Sequence, residues 1–136
     1  MPGYSDKPLW KKLGVKEGFK ILLINISRYP EVSYLREFTG AIDTVKGYES
    51  GLDMIHLFAD SLSALSHEME KASQSIKKNG MIWISWPKKS SKKDTDITED
   101  RIRDIVLPMG LVDVKVCSVT DELWSGLKVV WRQENR

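Results

Sequence analysis

Two apolar rhythms alternate along this 136-residue chain. "FKILLINI", from Phe19 to Ile26, and "LDMIHLF", from Leu52 to Phe58, are almost continuously apolar, which predicts strands covered on both faces. Between Ser61 and Lys78 the period lengthens. There Leu62, Leu65, Met69, Ala72 and Ile76 step by three and four and form one helical stripe. Asp60 stands where it would cap that helix, Lys77 and Lys78 would complement its end, and Gly80 would stop it. "MIWISW", from Met81 to Trp86, predicts a further strand, halted at Pro87.

Shorter signals fill the gaps. Pro8 and Gly14 bracket a short helix in an N-terminal arm, residues 1–18, with Ser5 or Asp6 as its cap. Pro30 opens a predicted helix carrying Val32, Leu35 and Phe38, ended by Gly40. Ala41 to Lys46 reads as a short strand by its branched residues. Asp96 and Glu99 have capping-box spacing and begin a helix that runs to about Leu107. Val112 to Val119 and Leu123 to Arg132 are strands joined by too few residues for a crossover, so they pair antiparallel. Strands and helices in this order predict a single three-layer α/β domain over residues 1–136, its earlier strands parallel and joined by right-handed crossovers.

Composition narrows the classes. The apolar fraction of 41% and charged fraction of 29% suit a soluble globular domain. A net charge of +2 gives no argument for nucleic acid by itself. The single cysteine, Cys117, precludes an internal disulfide and supplies no metal cluster. "ILLINI", the longest apolar run, is too short to span a bilayer, and the start "MPGYSDKPLWKK" lacks the apolar core of a signal peptide. A reducing, cytoplasmic location is expected, with no membrane partner.

"LGVKEGFKILLI", "SIKKNGMIWISWP" and the terminal hairpin resemble the scaffold of class I S-adenosylmethionine-dependent methyltransferases. The resemblance implies a Rossmann-like, six-stranded, mostly parallel sheet in the order 2-1-3-4-6-5, with strand 6 antiparallel. "YSDKPLWKKLG", "DMIHLF", "SWPKK", "TDITED", "GLVDVKVCSV" and "LWSGLK" together also resemble a small bacterial family of unknown function with that same fold. The methyltransferase scaffold carries a glycine-rich turn after strand 1, where the backbone approaches the cofactor. Here "NISRYP", from Asn25 to Pro30, has no glycine. Lys46, Gly47 and Tyr48 stand where an acid would hold ribose hydroxyls, with Glu49 just beyond. "ADSLS" replaces the Asn/Asp-Pro-Pro-aromatic motif after strand 3. No cofactor is therefore expected.

In an open parallel sheet, ligands bind beyond the C-terminal strand ends, near the switch in strand order. That rule gathers Asn25 and Ser27 at the switch itself. Beside them it places Trp86, Lys88 and Lys89 after strand 4, and Trp124 and Ser125 at the start of the reversed strand 6. Lysine ammonium groups would attract phosphate or carboxylate, and indoles would stack on a planar group. The bland alternative is a solvated lysine-rich loop, above all at Lys92 and Lys93, with Trp86 and Trp124 closing the sheet edge. His56 sits in an apolar strand and His67 on a helix surface; neither has a ligand partner at metal spacing. Cys117 reads as a packing residue, with Lys115 the nearby cation in sequence.

These features favour a non-catalytic module that binds a small anionic ligand or a protein partner at the strand-end rim. A methyltransferase-like or nucleotide-binding enzyme with a remodelled first turn is one alternative. Weak, salt-dependent nucleic-acid binding through Lys88, Lys89, Lys92 and Lys93 is another. The outer edge of strand 5 leaves backbone groups open for pairing across a homodimer.

Overall fold

A computed structural model describes residues 8–25, 34–89, 94–119 and 124–136. The elements in chain order are α1 (Leu9–Leu13), β1 (Lys20–Ile24), a 3-10 turn at Tyr34–Glu37, β2 (Asp43–Val45) and β3 (Leu52–Phe58). Then come α2 (Leu62–Ser75), β4 (Ile76–Pro87), α3 (Glu99–Val106), β5 (Leu111–Ser118) and β6 (Trp124–Trp131), with single 3-10 turns at Leu107–Met109 and Gln133–Asn135. The six strands form one sheet in the order β2-β1-β3-β4-β6-β5. β1 pairs parallel with β2 and β3, and β3 with β4, whereas β6 runs antiparallel to both β4 and β5.

Strand alternation divides the core in two. Ile82, Ile84 and Trp86 of β4, with Leu127 and Val129 of β6, pack beneath α2 and α3 against Leu65, Met69, Ile102 and Val106. Trp83 of β4 and Trp124 of β6 face the other way, with Leu13, Tyr34, Met54 and Phe58. α1 is tied to that second face because the buried Trp83 Nε1 donates to Leu13 O at 2.8 Å. Burying an indole N–H without such an acceptor would cost about 1–3 kcal/mol.

Several boundaries depart from the sequence expectation. The capping of the first helix by Ser5 or Asp6 lies outside the described residues, as do Pro30 and Val32; among those described, the helix expected up to Gly40 is a single 3-10 turn. Leu35 and Phe38 still pack on the core, Phe38 edge-on to Trp10 at 4.9 Å. Tertiary packing here outweighs helical spacing.

α2 is capped by Ser61, whose Oγ accepts from Ala64 N at 3.1 Å, and not by Asp60. It ends at Ser75, three residues before the expected Lys78. Lys77 and Lys78 already belong to β4, where Lys77 pairs with Asp53 at 3.0 Å and Lys78 lies over the Trp131 ring. Gly80 does not stop the helix; it lies within β4, where a Cβ would come to 3.0 Å from Leu52 O. A side chain there would crowd the close approach of two backbones, which the glycine relieves.

The expected capping box at Asp96 is divided between two helices. Thr98 caps α3, accepting from Arg101 N at 3.2 Å. Asp96 Oδ1 instead accepts from Leu62 N at 2.8 Å and so caps the first turn of α2 from outside. Glu99 turns to Arg103 at 3.2 Å. One further irregularity matters below: the β5–β6 register slips between Asp113 and Lys115, leaving Val114 as a bulge residue.

Replacing Asp96 by alanine should lower stability by about 1 kcal/mol, a typical loss for a helix cap. Hydrogen exchange should then quicken at Leu62 and leave Arg101 unchanged, whereas Thr98→Ala should do the reverse.

Candidate functional site

β3 and β4 end side by side at the C-terminal edge of the sheet, and antiparallel β6 begins there. The register sets Trp86 opposite Ser125, and Ser125 opposite Ser118 of β5. Directly paired residues share a face, so these three side chains form a row on the side covered by α2 and α3. Above that row lies a cavity of about 540 Å³. Trp86, Pro87, Lys88, Lys89 and Ser125 line it from the sheet; Thr95 and Ile97 do so from the following segment, and Thr98, Glu99 and Asp100 from the start of α3.

The side chains at this rim differ in their engagement. Lys88 Nζ donates to Ser118 Oγ, which anchors the lysine across the row. Lys89 is exposed and makes no ion pair with another described residue, and the Ser125 hydroxyl has no hydrogen-bond partner among them. Two acids oppose the lysines, but both are engaged by one cation. Arg103 reaches Glu99 at 3.2 Å and Asp100 at 2.9 Å, and Asp113 of β5 at 2.9 Å. The Asp113 hydrogen bond leads the interactions that hold the Arg103 proton more firmly than usual. Trp86 is only 7% exposed, so it supplies an apolar floor and little indole face for stacking.

The cavity thus brings together Trp86, Lys88, Lys89 and Ser125. Trp124 belongs to the opposite face, fully buried and edge-on to Phe58 at 5.5 Å. Asn25 lies at the exit of β1 with φ 65°, a left-handed bend more usual for glycine. Its Nδ2 donates to Phe58 O at 3.0 Å, bridging the ends of β1 and β3 across the switch in strand order. Ser27 lies outside the described residues. Near the end of β2, Glu49 is engaged by Lys20 at 3.3 Å. The start of the α3 helix, with Glu99 and Asp100, is expected beside this rim from the sequence; Thr95, Ile97 and Thr98 on the cavity wall escaped sequence reasoning because their place depends on how that segment packs against the sheet.

His56 is structural. It is fully buried, stacks on Phe58 at 4.2 Å, and bonds Tyr34 through Nδ1 at 2.7 Å and Ser85 Oγ through Nε2 at 2.8 Å. The three side chains imitate a catalytic relay, but all are buried. Burial lowers the His56 pKa to about 3 and raises that of Tyr34, so both stay neutral at ordinary pH. Cys117 is half-buried; burial pushes its thiol up despite the opposing pull of Lys12, Lys115 and Lys88. His67 is exposed on α2. Among the described residues, no group of three or more His, Cys, Asp or Glu side chains is placed to hold a metal ion, and no helix is long and apolar enough to cross a membrane.

No family model matches the sequence, and neither does any curated protein. Solved structures match its shape. A TehB-like SAM-dependent methyltransferase from Corynebacterium glutamicum matches over 96% of this chain and 90% of its own, with TM-score 0.64 and 10% identity. Aeropyrum pernix fibrillarin, solved with natively bound S-adenosyl-L-methionine, matches over 94% of this chain and 70% of its own, with TM-score 0.61 and 13% identity. A SAM-dependent methyltransferase from Aquifex aeolicus matches over 89% and 86%, with TM-score 0.57 and 16% identity. The fold is therefore the Rossmann-like fold of SAM-dependent methyltransferases.

The buried imidazole predicts acid sensitivity. Above its ordinary pKa of 6.5, folded and unfolded chains both carry it neutral. Below that, the unfolded chain takes up a proton that the folded chain refuses until about pH 3, so stability falls with pH. Denaturant titrations of wild type and His56→Gln should show the wild type losing about 2–3 kcal/mol more between pH 6.5 and 4.5. Parallel profiles would exclude His56 as the source.

Proposed function

We propose that this protein is a non-catalytic binding module on a methyltransferase-like scaffold. It takes a small anionic ligand, or the anionic tip of a protein partner, at the C-terminal edge of the sheet. The observation that carries this reading is the cavity of about 540 Å³ edged by Lys88 and Lys89 and floored by Trp86 and Ser125. Lys89 supplies a charge that no described residue pairs, Ser125 a hydroxyl able to donate or accept, and the start of α3 a dipole end that favours anions. Arg103 offsets the repulsion that Glu99 and Asp100 would otherwise exert. The ligand expected is an anionic head of phosphate or carboxylate type with a modest apolar body.

Loss of the ancestral cofactor site is supported by the glycine-free stretch from Asn25 to Pro30 and by the Asn25 bridge to Phe58. That bridge joins the two strand ends between which the methyltransferase scaffold admits its cofactor. The enzyme reading draws on one observation, the left-handed bend retained at Asn25. Calorimetry with S-adenosylmethionine distinguishes the two: no heat is expected up to millimolar concentration, and saturable heat would favour the enzyme.

Thermal denaturation against a panel of nucleotides, sugar phosphates and carboxylates tests the binding reading. A ligand at a hundredfold its Kd adds about 2.7 kcal/mol. A stabilising ligand should therefore raise Tm by several degrees, and Lys89→Glu should abolish the rise while leaving the ligand-free Tm nearly unchanged. A panel without effect would remove the small-ligand form of the proposal.

A further inference from the structure

A second concentration of charge lies on the other face of the sheet, toward the opposite edge. Lys128 of β6 stands directly opposite Lys115 of β5. Like charges at paired positions repel, and a fold normally avoids or compensates them. Here neither lysine has an ion pair with a described residue; Lys115 Nζ donates instead to the backbone oxygen of Lys12, beside α1. Lys16, just past α1, is close enough to add to the repulsion on Lys128 and also has no acidic partner among the described residues. Lys128 is partly buried, so water does not fully compensate it. Burial, then Lys115 and Lys16, weaken its hold on its proton.

Below these lysines the bulge at Val114 helps to frame a cavity of about 270 Å³, lined by Asn79, Gly80, Val114, Lys128, Val130 and Arg136. The Arg136 Nε is engaged by Trp131 O at 2.8 Å, which holds the guanidinium beside the strand end. Asn79 contributes an amide able to donate. A partly buried ammonium, two further lysines without an acidic partner among the described residues, and an adjoining cavity that carries an amide and a guanidinium on its wall fit a group with two negative charges on a compact frame. We propose that the β5–β6 face beside α1 is a second anion site, separate from the rim of β4, which takes a phosphate-type dianion. The ammonium groups act there as point charges, and the dianion removes the repulsion between Lys115 and Lys128.

Titration by amide NMR with inorganic phosphate, and separately with glycerol 3-phosphate, against chloride at matched ionic strength tests this assignment. Saturable shifts are expected at Asn79, Gly80, Val114, Lys128 and Val130 with phosphate and not with chloride. The two probes distinguish free phosphate from a phosphomonoester as the tighter ligand. Lys128→Met should weaken binding by about tenfold or more, as loss of a charged contact does. The same change should leave Tm in phosphate-free buffer equal or higher, which shows that the fold survives. Lys46→Met, an equal change of net charge at the far side of the sheet, should bind as wild type does. Shifts that chloride reproduces, binding that Lys128→Met retains, or equal losses in both variants would overturn the proposal.

Discussion

β4 is hydrogen-bonded on both edges and covered on both faces, and the architecture depends on that double confinement. Every residue from Ile82 to Pro87 is buried. With a period of two, Ile82, Ile84 and Trp86 go to the helix-covered face while Trp83 and Ser85 go to the other. A slip of one residue would exchange these sets, pressing the Ser85 hydroxyl among aliphatic side chains and removing the indole that holds α1. It would also turn Trp86 away from the rim. The same register therefore fixes the core, the docking of α1 and the floor of the cavity.

Within this scaffold, the switch in strand order between β1 and β3 and the cavity beside β4 are separate places. The ends of β1 and β3 are joined by the Asn25 amide, whereas the space beside β4 is lined by a hydroxyl and an ammonium, those of Ser125 and Lys89, that no described residue engages. Trp86 and Ile97 belong both to the core and to the cavity wall, so the packing that holds the fold also shapes the rim.

Most of the fold was legible in the sequence for a physical reason. Burial on two faces writes continuous apolar runs, and β3 was bounded to the residue as Leu52–Phe58. The 3.6-residue stripe of α2 was equally plain, whereas its end was not. Ser73 and Ser75 return their hydroxyls to Glu70 O and Lys71 O, and the chain turns straight into β4 without a glycine. Asp96 misled for a related reason: a cap is a short-range signal, and this one serves a helix 34 residues away. For the candidate site, the order of strands brought Trp86, Lys88, Lys89 and Ser125 to one edge. It did not say that Trp124, one residue from Ser125, points through the sheet. Only the pairing of Ser125 with Trp86 settles that parity.

The bulge at Val114 has a consequence for behaviour in concentrated solution. β5 forms an outer border of the sheet, and Val114 and Val116 stand more than half exposed there. A stacked cross-β array recruits straight stretches of six or seven residues. The slip in register divides this border into Leu111–Asp113 and Lys115–Ser118, each too short to serve as such a template. The chain thus carries exposed branched side chains on an open border without presenting the straight backbone from which fibrils grow.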